Sequence, residues 1–268
     1  AYTVGWTVAD NTLVGGDVGI YVSGSNSNAG RWFIENNVIE YTERIGILAI
    51  NATEMVIRGN RLYEVYQDVP VAGDRDGIYF TDGEDVVVEG NFVSLVSGAD
   101  VDSDRGIRVG GLASSVRIIN NLVAQSVVLE GNVNAGHTVF GNHIVGGITA
   151  GSSVTALGGA DIMANDVGSL LAFMQGGRLH DNRVGSRSFT LPDPDAAIAP
   201  FEGSSFSFAV FDTSSATTVV SGNSGAEDSL VFGSNIHALD NYFVKSVRFH
   251  EVDEGVIRGN HSPTTMLL

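Results

Sequence analysis

An asparagine returns along this chain at the end of one six-residue unit, apolar-x-apolar-x-[Gly/Asn/Asp]-Asn. The clearest copies are Trp6-Thr-Val-Ala-Asp-Asn11, Trp32-Phe-Ile-Glu-Asn-Asn37, Met55-Val-Ile-Arg-Gly-Asn60, Val86-Val-Val-Glu-Gly-Asn91, Val116-Arg-Ile-Ile-Asn-Asn121 and His137-Thr-Val-Phe-Gly-Asn142. Weaker copies end at Asn165, Asn182, Asn223, Asn241 and Asn260. Successive asparagines lie 26, 23, 31, 30, 21, 23, 17, 41, 18 and 19 residues apart. Such a period means a stacked array, because no single repeat can bury its own apolar face. Helical repeats would place apolar residues at i, i+3, i+4 and i+7. These segments alternate with period two and favour Val and Ile, as strands do. The chain therefore reads as one all-β domain over 1–268, a solenoid of about 11 coils.

The alternation assigns faces. Val8, Ile34, Ile57, Val88, Ile118, Val139, Ile162, Leu179, Val220 and Ile257 stand three places before their asparagine and are expected inside. Glu35, Arg58, Glu89, His180 and Arg258 stand two places before it and are expected outside. A second strand follows in the early coils, marked by Gly-Ile at Gly19-Ile20, Gly46-Ile47, Gly77-Ile78 and Gly106-Ile107. Tyr21, Leu48, Tyr79 and Arg108 then form an outward stripe. The asparagine itself suits a sharp corner, since it tolerates the left-handed backbone region. Stacked at the strand spacing, its amide also bonds up and down a ladder and satisfies groups that the corner buries.

Charge narrows the function. Basic residues number 14 and acidic ones 31, so the net charge is 14 − 31 = −17, and Lys245 is the only lysine. Such a surface repels phosphate backbones and anionic membranes, which argues against nucleic-acid and membrane partners. The absence of cysteine removes disulfides, thiol catalysis and thiolate metal sites. No apolar run is long enough to span a bilayer. The first residues lack the basic start and apolar core of a signal peptide and read as a cut end. Open strand edges at both ends lead us to expect a segment of a longer protein, or one that stacks or trimerises.

On these coils the chain resembles the right-handed parallel β-helix of the pectate-lyase-like superfamily, which includes polysaccharide lyases, epimerases, polygalacturonases and phage tailspikes. The resemblance covers nearly the whole chain. It implies a right-handed parallel β-helix and an extracellular, cell-surface or virion-surface protein that binds or processes a polysaccharide. It also leaves a second class open, a non-catalytic rod of an adhesin, surface layer or tailspike. The Asp-Pro-His of the epimerases is missing, as are the Gly-Asp-Asp, Gly-His-Gly and Arg-Ile-Lys of the polygalacturonases.

Insertions near 64–75, 96–105 and 187–205 break the regularity, and in solenoids such insertions become loops on one edge. The run Asp100-Val-Asp102-Ser-Asp104 alternates carboxylates as a calcium loop does, or as a solvated acidic turn does. It departs from an EF-hand at Arg105, where Gly is usual, and at Gly111, where the closing Glu would stand. Asp76 and Asp104 both come just before a Gly-Ile strand and are expected one rung apart, as an acid–base pair for glycoside cleavage. Resemblance to the pectate lyases implies instead a calcium-assisted elimination on a uronic acid, with Arg105 and Arg108 as the cations. Tyr21 and Tyr79 offer flat faces on which sugar rings stack, or simply suit exposed strand positions. His137 falls at an inward position and reads as a core residue; His143 and His180 receive no metal role.

Overall fold

The structure is a computed structural model of the chain, and it describes residues 5–24, 31–64, 75–94, 105–130, 135–152, 155–187, 189–190, 205–212, 214–252 and 254–267. These residues fall into two compact units, residues 1–128 with 142–146 and residues 129–141 with 147–268. Among the described residues there is no helix, and hence none long and apolar enough to cross a membrane.

In the first unit each coil carries three strands, one more than the Gly-Ile marker led us to expect. The first strand comprises Trp6–Ala9, Trp32–Glu35, Met55–Arg58, Val87–Glu89 and Arg117–Ile119 on successive coils. These pair in parallel and put Val8, Ile34, Ile57, Val88 and Ile118 in one column. The last four are fully buried, as their place three before the asparagine required. After the asparagine comes a short strand: Thr12–Val14, Val38–Glu40, Arg61–Tyr63, Phe92–Ser94 and Leu122–Val123. Only one of its residues per coil points in, forming the column Leu13, Ile39, Leu62, Val93 and Val123. A run of three is too short to show a period. The Gly-Ile strand is the third, as Val18–Ser23, Ile45–Ile50, Asp76–Thr81 and Arg105–Gly110. Ile20, Ile47, Ile78 and Ile107 stack along it. A fully buried aliphatic side chain of this kind contributes roughly 1.5–3 kcal/mol.

Close approach explains the glycine of Gly-Ile. A Cβ added to Gly77 would sit 2.4 Å from Val93 Cγ1, and one added to Gly106 would sit 2.2 Å from Val123 Cγ1. The third strand leaves its corner pressed against the second, and no side chain fits between them.

The asparagines form ladders. In the first unit the amides of Asn11, Asn37, Asn60, Asn91 and Asn121 each donate from Nδ2 to Oδ1 of the next, at 3.0 Å, ending on Asn142. In the second unit the series Asn165, Asn182, Asn223, Asn241 and Asn260 does the same at 2.8–3.0 Å. Asn91 shows the full valence. Its Oδ1 accepts from the backbone and side-chain nitrogens of Asn60, while its Nδ2 donates to Asn121 Oδ1 and to the Ile57 carbonyl. Both amide protons and both lone pairs are used, so the side chain can be buried without loss.

The left-handed corner belongs to a different residue from the one we expected. The ladder asparagines are not left-handed; the residue before each of them is. Asp10, Asn36, Gly59, Gly90, Asn120, Gly141, Ala164, Asp181, Gly222, Asp240 and Gly259 all have φ between 53° and 68°. That accounts for the bracketed Gly, Asn or Asp in the repeat, the three residues that tolerate this region best. The ladder position then selects asparagine for hydrogen bonding alone.

The second unit keeps the same order of strands. Its tightest coil is a single strand, Asp166–His180, which pairs in turn with Arg183–Val184, Phe208–Asp212 and Thr218–Ser221. Further third strands follow at Ser229–Phe232 and Val247–His250. Residues flanking the third insertion form an antiparallel pair, Phe189–Thr190 with Ser205–Phe206, not only a loop.

Candidate functional site

The outward stripe of the first unit is present and in register. Tyr21 lies opposite Leu48, Leu48 opposite Tyr79, and Tyr79 opposite Arg108. Tyr21 is 59% exposed. Further along the stripe the Arg108 guanidinium carbon sits 4.4 Å from the centre of the Tyr79 ring, a cation–π contact that fixes both side chains.

Asp76 stands at the head of this stripe. Its side chain is wholly buried, with Arg105 Nε 2.9 Å from Oδ1 and Arg108 Nη1 3.5 Å from Oδ2. The two arginine side chains remain 21% and 12% exposed. Alternation from Ile78 would turn Asp76 toward the core, yet it meets Arg108, whose neighbour on the stripe is Tyr79. The alternation breaks at Gly77, the glycine that close approach requires. Burial of a carboxylate is tolerable because two opposite charges compensate it.

The register alters the expected carboxylate pair. Opposite Asp76 on the next coil stands Arg105, one place beyond Asp104, so the neighbour of this carboxylate is a guanidinium. Asp104 itself lies outside the described residues, as do Asp100 and Asp102 and with them the whole calcium reading. Among the described residues no three His, Asp or Glu side chains gather as metal ligands. Chemically, Asp76 holds cations in place; a general acid or base must instead reach a substrate atom.

Two arginines that the sequence reading passed over join the same region. Arg44 and Arg75 each stand two places before the glycine of a third strand. The Asp76 amide donates to the Arg44 carbonyl at 3.2 Å, and the Arg105 amide to the Arg75 carbonyl at 3.0 Å. Arg44 is ion-paired with Asp17, whose carboxyl it holds below the usual range, chiefly by direct hydrogen bonding. Arg44, Arg75 and Arg105 therefore stand on successive coils where third strands begin, in a chain with only 14 basic residues. Aligning the Gly-Ile glycines would have revealed them.

In the second unit the matching strands are closed over. Phe173, Phe211 and Phe232 stack in register, with ring centres 4.9 and 5.8 Å apart. Phe206, from the antiparallel pair, packs against them with Ala209 and Leu230. Phe211 is only 2% exposed, so this face is a second core and not a docking surface. His137 is buried as expected, and desolvation lowers its pKa to about 4.

Comparison with known families gives a match to the right-handed β-helix region over residues 1–167, more than half of the chain. No curated protein and no solved structure matches it significantly.

Proposed function

This chain belongs to the right-handed β-helix family, and from that premise we propose that it is an extracellular polysaccharide-binding protein that works through the outer stripe of its first unit. The observation that carries this reading is the column Tyr21, Leu48, Tyr79 and Arg108, two aromatic rings, an aliphatic side chain and a cation in register on one sheet. Parallel strands repeat at about 4.8 Å, so side chains on alternate coils stand about 10 Å apart, close to the length of two sugar residues. Tyr21, 59% exposed, presents a stacking platform at little entropic cost, and two coils along Tyr79, with Arg108 over its ring, extends the aromatic surface. The arginines at the strand entries supply directional donors to sugar hydroxyl or acid groups.

Processing of the glycan as a lyase, epimerase or hydrolase would draw on Arg105, Arg108 and the aspartates at 100, 102 and 104, with calcium bound by the latter. The test is a glycan array probed with the chain in calcium and in chelator, followed by product analysis of each glycan bound. Binding that is lost in Tyr79→Ala supports the proposal. Release of unsaturated or shortened products adds the enzymatic reading, and calcium dependence adds the metal. An array without a single reproducible ligand leaves the non-catalytic rod.

A further inference from the structure

We propose that Asn51 is the acceptor of an N-linked glycan, at the edge of the first unit where a third strand ends. The proposal goes beyond the binding face and shares with that reading only the extracellular location.

Two stretches of the chain, Asn51-Ala52-Thr53 and Asn260-His261-Ser262, have Asn, a residue other than Pro, and then Ser or Thr. That is the pattern of a glycan acceptor. The structure separates them. Asn260 closes the second ladder: its Oδ1 accepts from the Asn241 amide at 2.8 Å, and its Nδ2 donates to the Ala238 carbonyl at 2.7 Å. A glycan on that nitrogen would have to share the corner with the ladder. Asn51 stands outside the ladder, directly after the third strand Ile45–Ile50. Its backbone N–H donates to the Thr81 carbonyl at 2.9 Å, which fixes the residue. Its half-buried side chain bonds to nothing among the described residues. Asp82, the equivalent residue on the next coil, does use its side chain, accepting from the Leu112 N–H at 2.9 Å. On the preceding coil the equivalent is Gly24, so no side chain stands against Asn51 from that place. The left-handed backbone, with φ at 53°, accounts for an asparagine at this corner. It does not account for Thr53, because the places in line with it hold Glu84 and Ser114. The donor is a lipid-linked oligosaccharide pyrophosphate. Asn51 Nδ2 bonds to the anomeric carbon, and the bond from that carbon to the pyrophosphate oxygen breaks with its electron pair. The amide gives up one proton and the lipid pyrophosphate leaves.

The experiment is secretion of the full chain, behind a cleavable leader, from cells that carry an oligosaccharyltransferase. Peptide-N-glycosidase in heavy-oxygen water then converts each glycan-bearing asparagine to a labelled aspartate, and mass spectrometry of tryptic peptides locates it. The label should fall on the peptide of residues 45–58 and be absent from the one that holds Asn260. Thr53→Ala keeps Asn51 and its corner but removes the hydroxyl, and it should lose the label, as should Asn51→Gln. Ser262→Ala should keep it. An unlabelled Asn51 in the parent, in cells and medium alike, would overturn the proposal, and so would a label on Asn260 in its place. The readout involves no sugar ligand, so Tyr79→Ala should be labelled as the parent is. Loss of the acceptor site and loss of the binding face are thereby told apart.

Discussion

The third strand of the coil has two fates in this molecule. In the first unit its outer side carries Tyr21, Leu48, Tyr79 and Arg108, and solvent reaches them. In the second unit the outer side carries Phe173, Phe211 and Phe232, and Phe206 closes over them. The inner sides are alike, with stacked, mostly apolar columns and an asparagine ladder at the corner. The ladder and the inner column thus hold the coil together whatever lies outside, and the outer residues decide whether a strand offers a surface or a second core. Rigidity comes from the inside and recognition from the outside, so the two can vary independently.

The largest effect should come from the sealed face. Phe211→Ala removes the middle ring of the stack and should cost about 3–5 kcal/mol. Denaturant unfolding followed by hydrogen exchange should place the loss in the second unit. A loss below about 1 kcal/mol would mean that this face is not a core.

Acid should also strike the second unit. His137 is buried, and its pKa falls from 6.5 to about 4 because burial disfavours the charged form. Between those values the unfolded chain binds a proton that the folded chain does not. Stability is therefore complete above about pH 6.5, falls as the pH drops toward 4 and levels off below, a loss of about 3 kcal/mol at most. The first unit has Trp6, Trp32, Met55, Val86 and Val116 at this place in the repeat, and none of them titrates. His137→Gln should flatten this part of the pH–stability curve relative to the parent. Parallel curves would refute the assignment.

The ladder should matter in both units. Asn91→Leu strands the backbone N–H of Asn60 and the Ile57 carbonyl, and should cost about 1–3 kcal/mol by chemical denaturation. A smaller gain is expected at Ala164, the one left-handed residue before a ladder asparagine that is neither Gly, Asn nor Asp. Ala164→Gly should stabilise by about 0.5–1 kcal/mol, since relief of the left-handed strain outweighs the extra chain entropy. A destabilised variant would show that this corner relaxes in solution.

The sequence revealed the coils because burial and hydrogen bonding repeat at one position. Ile34, Ile57, Val88 and Ile118 could be assigned inward from spacing alone, and the stripe from Tyr21 to Arg108 followed from Gly-Ile. The division of labour at the corner was harder to see. Asparagine suits both a ladder and a left-handed turn, and only backbone angles separate Asn37, which ladders, from Asn36, which turns. The partner of Asp76 depended on counting from the glycine: Arg105 adjoins Gly106 as Asp76 adjoins Gly77, and Asp104 stands one place too early. The sealed face was not legible, because Phe206 reaches Phe211 only through an insertion with no repeat to align. Exposed Tyr and buried Phe obey the same alternation, so period alone could not distinguish an open stripe from a closed one.

The most direct measurement is calorimetric titration of an array-positive oligosaccharide into the parent and Tyr79→Ala, beside their unfolding curves. Loss of a stacking ring should weaken binding by on the order of tenfold or more. Stability should move by no more than about 1–2 kcal/mol, the worth of the cation–π contact with Arg108. Equal affinity in the two proteins, or a loss of stability like that of Phe211→Ala, would contradict an open binding face in the first unit.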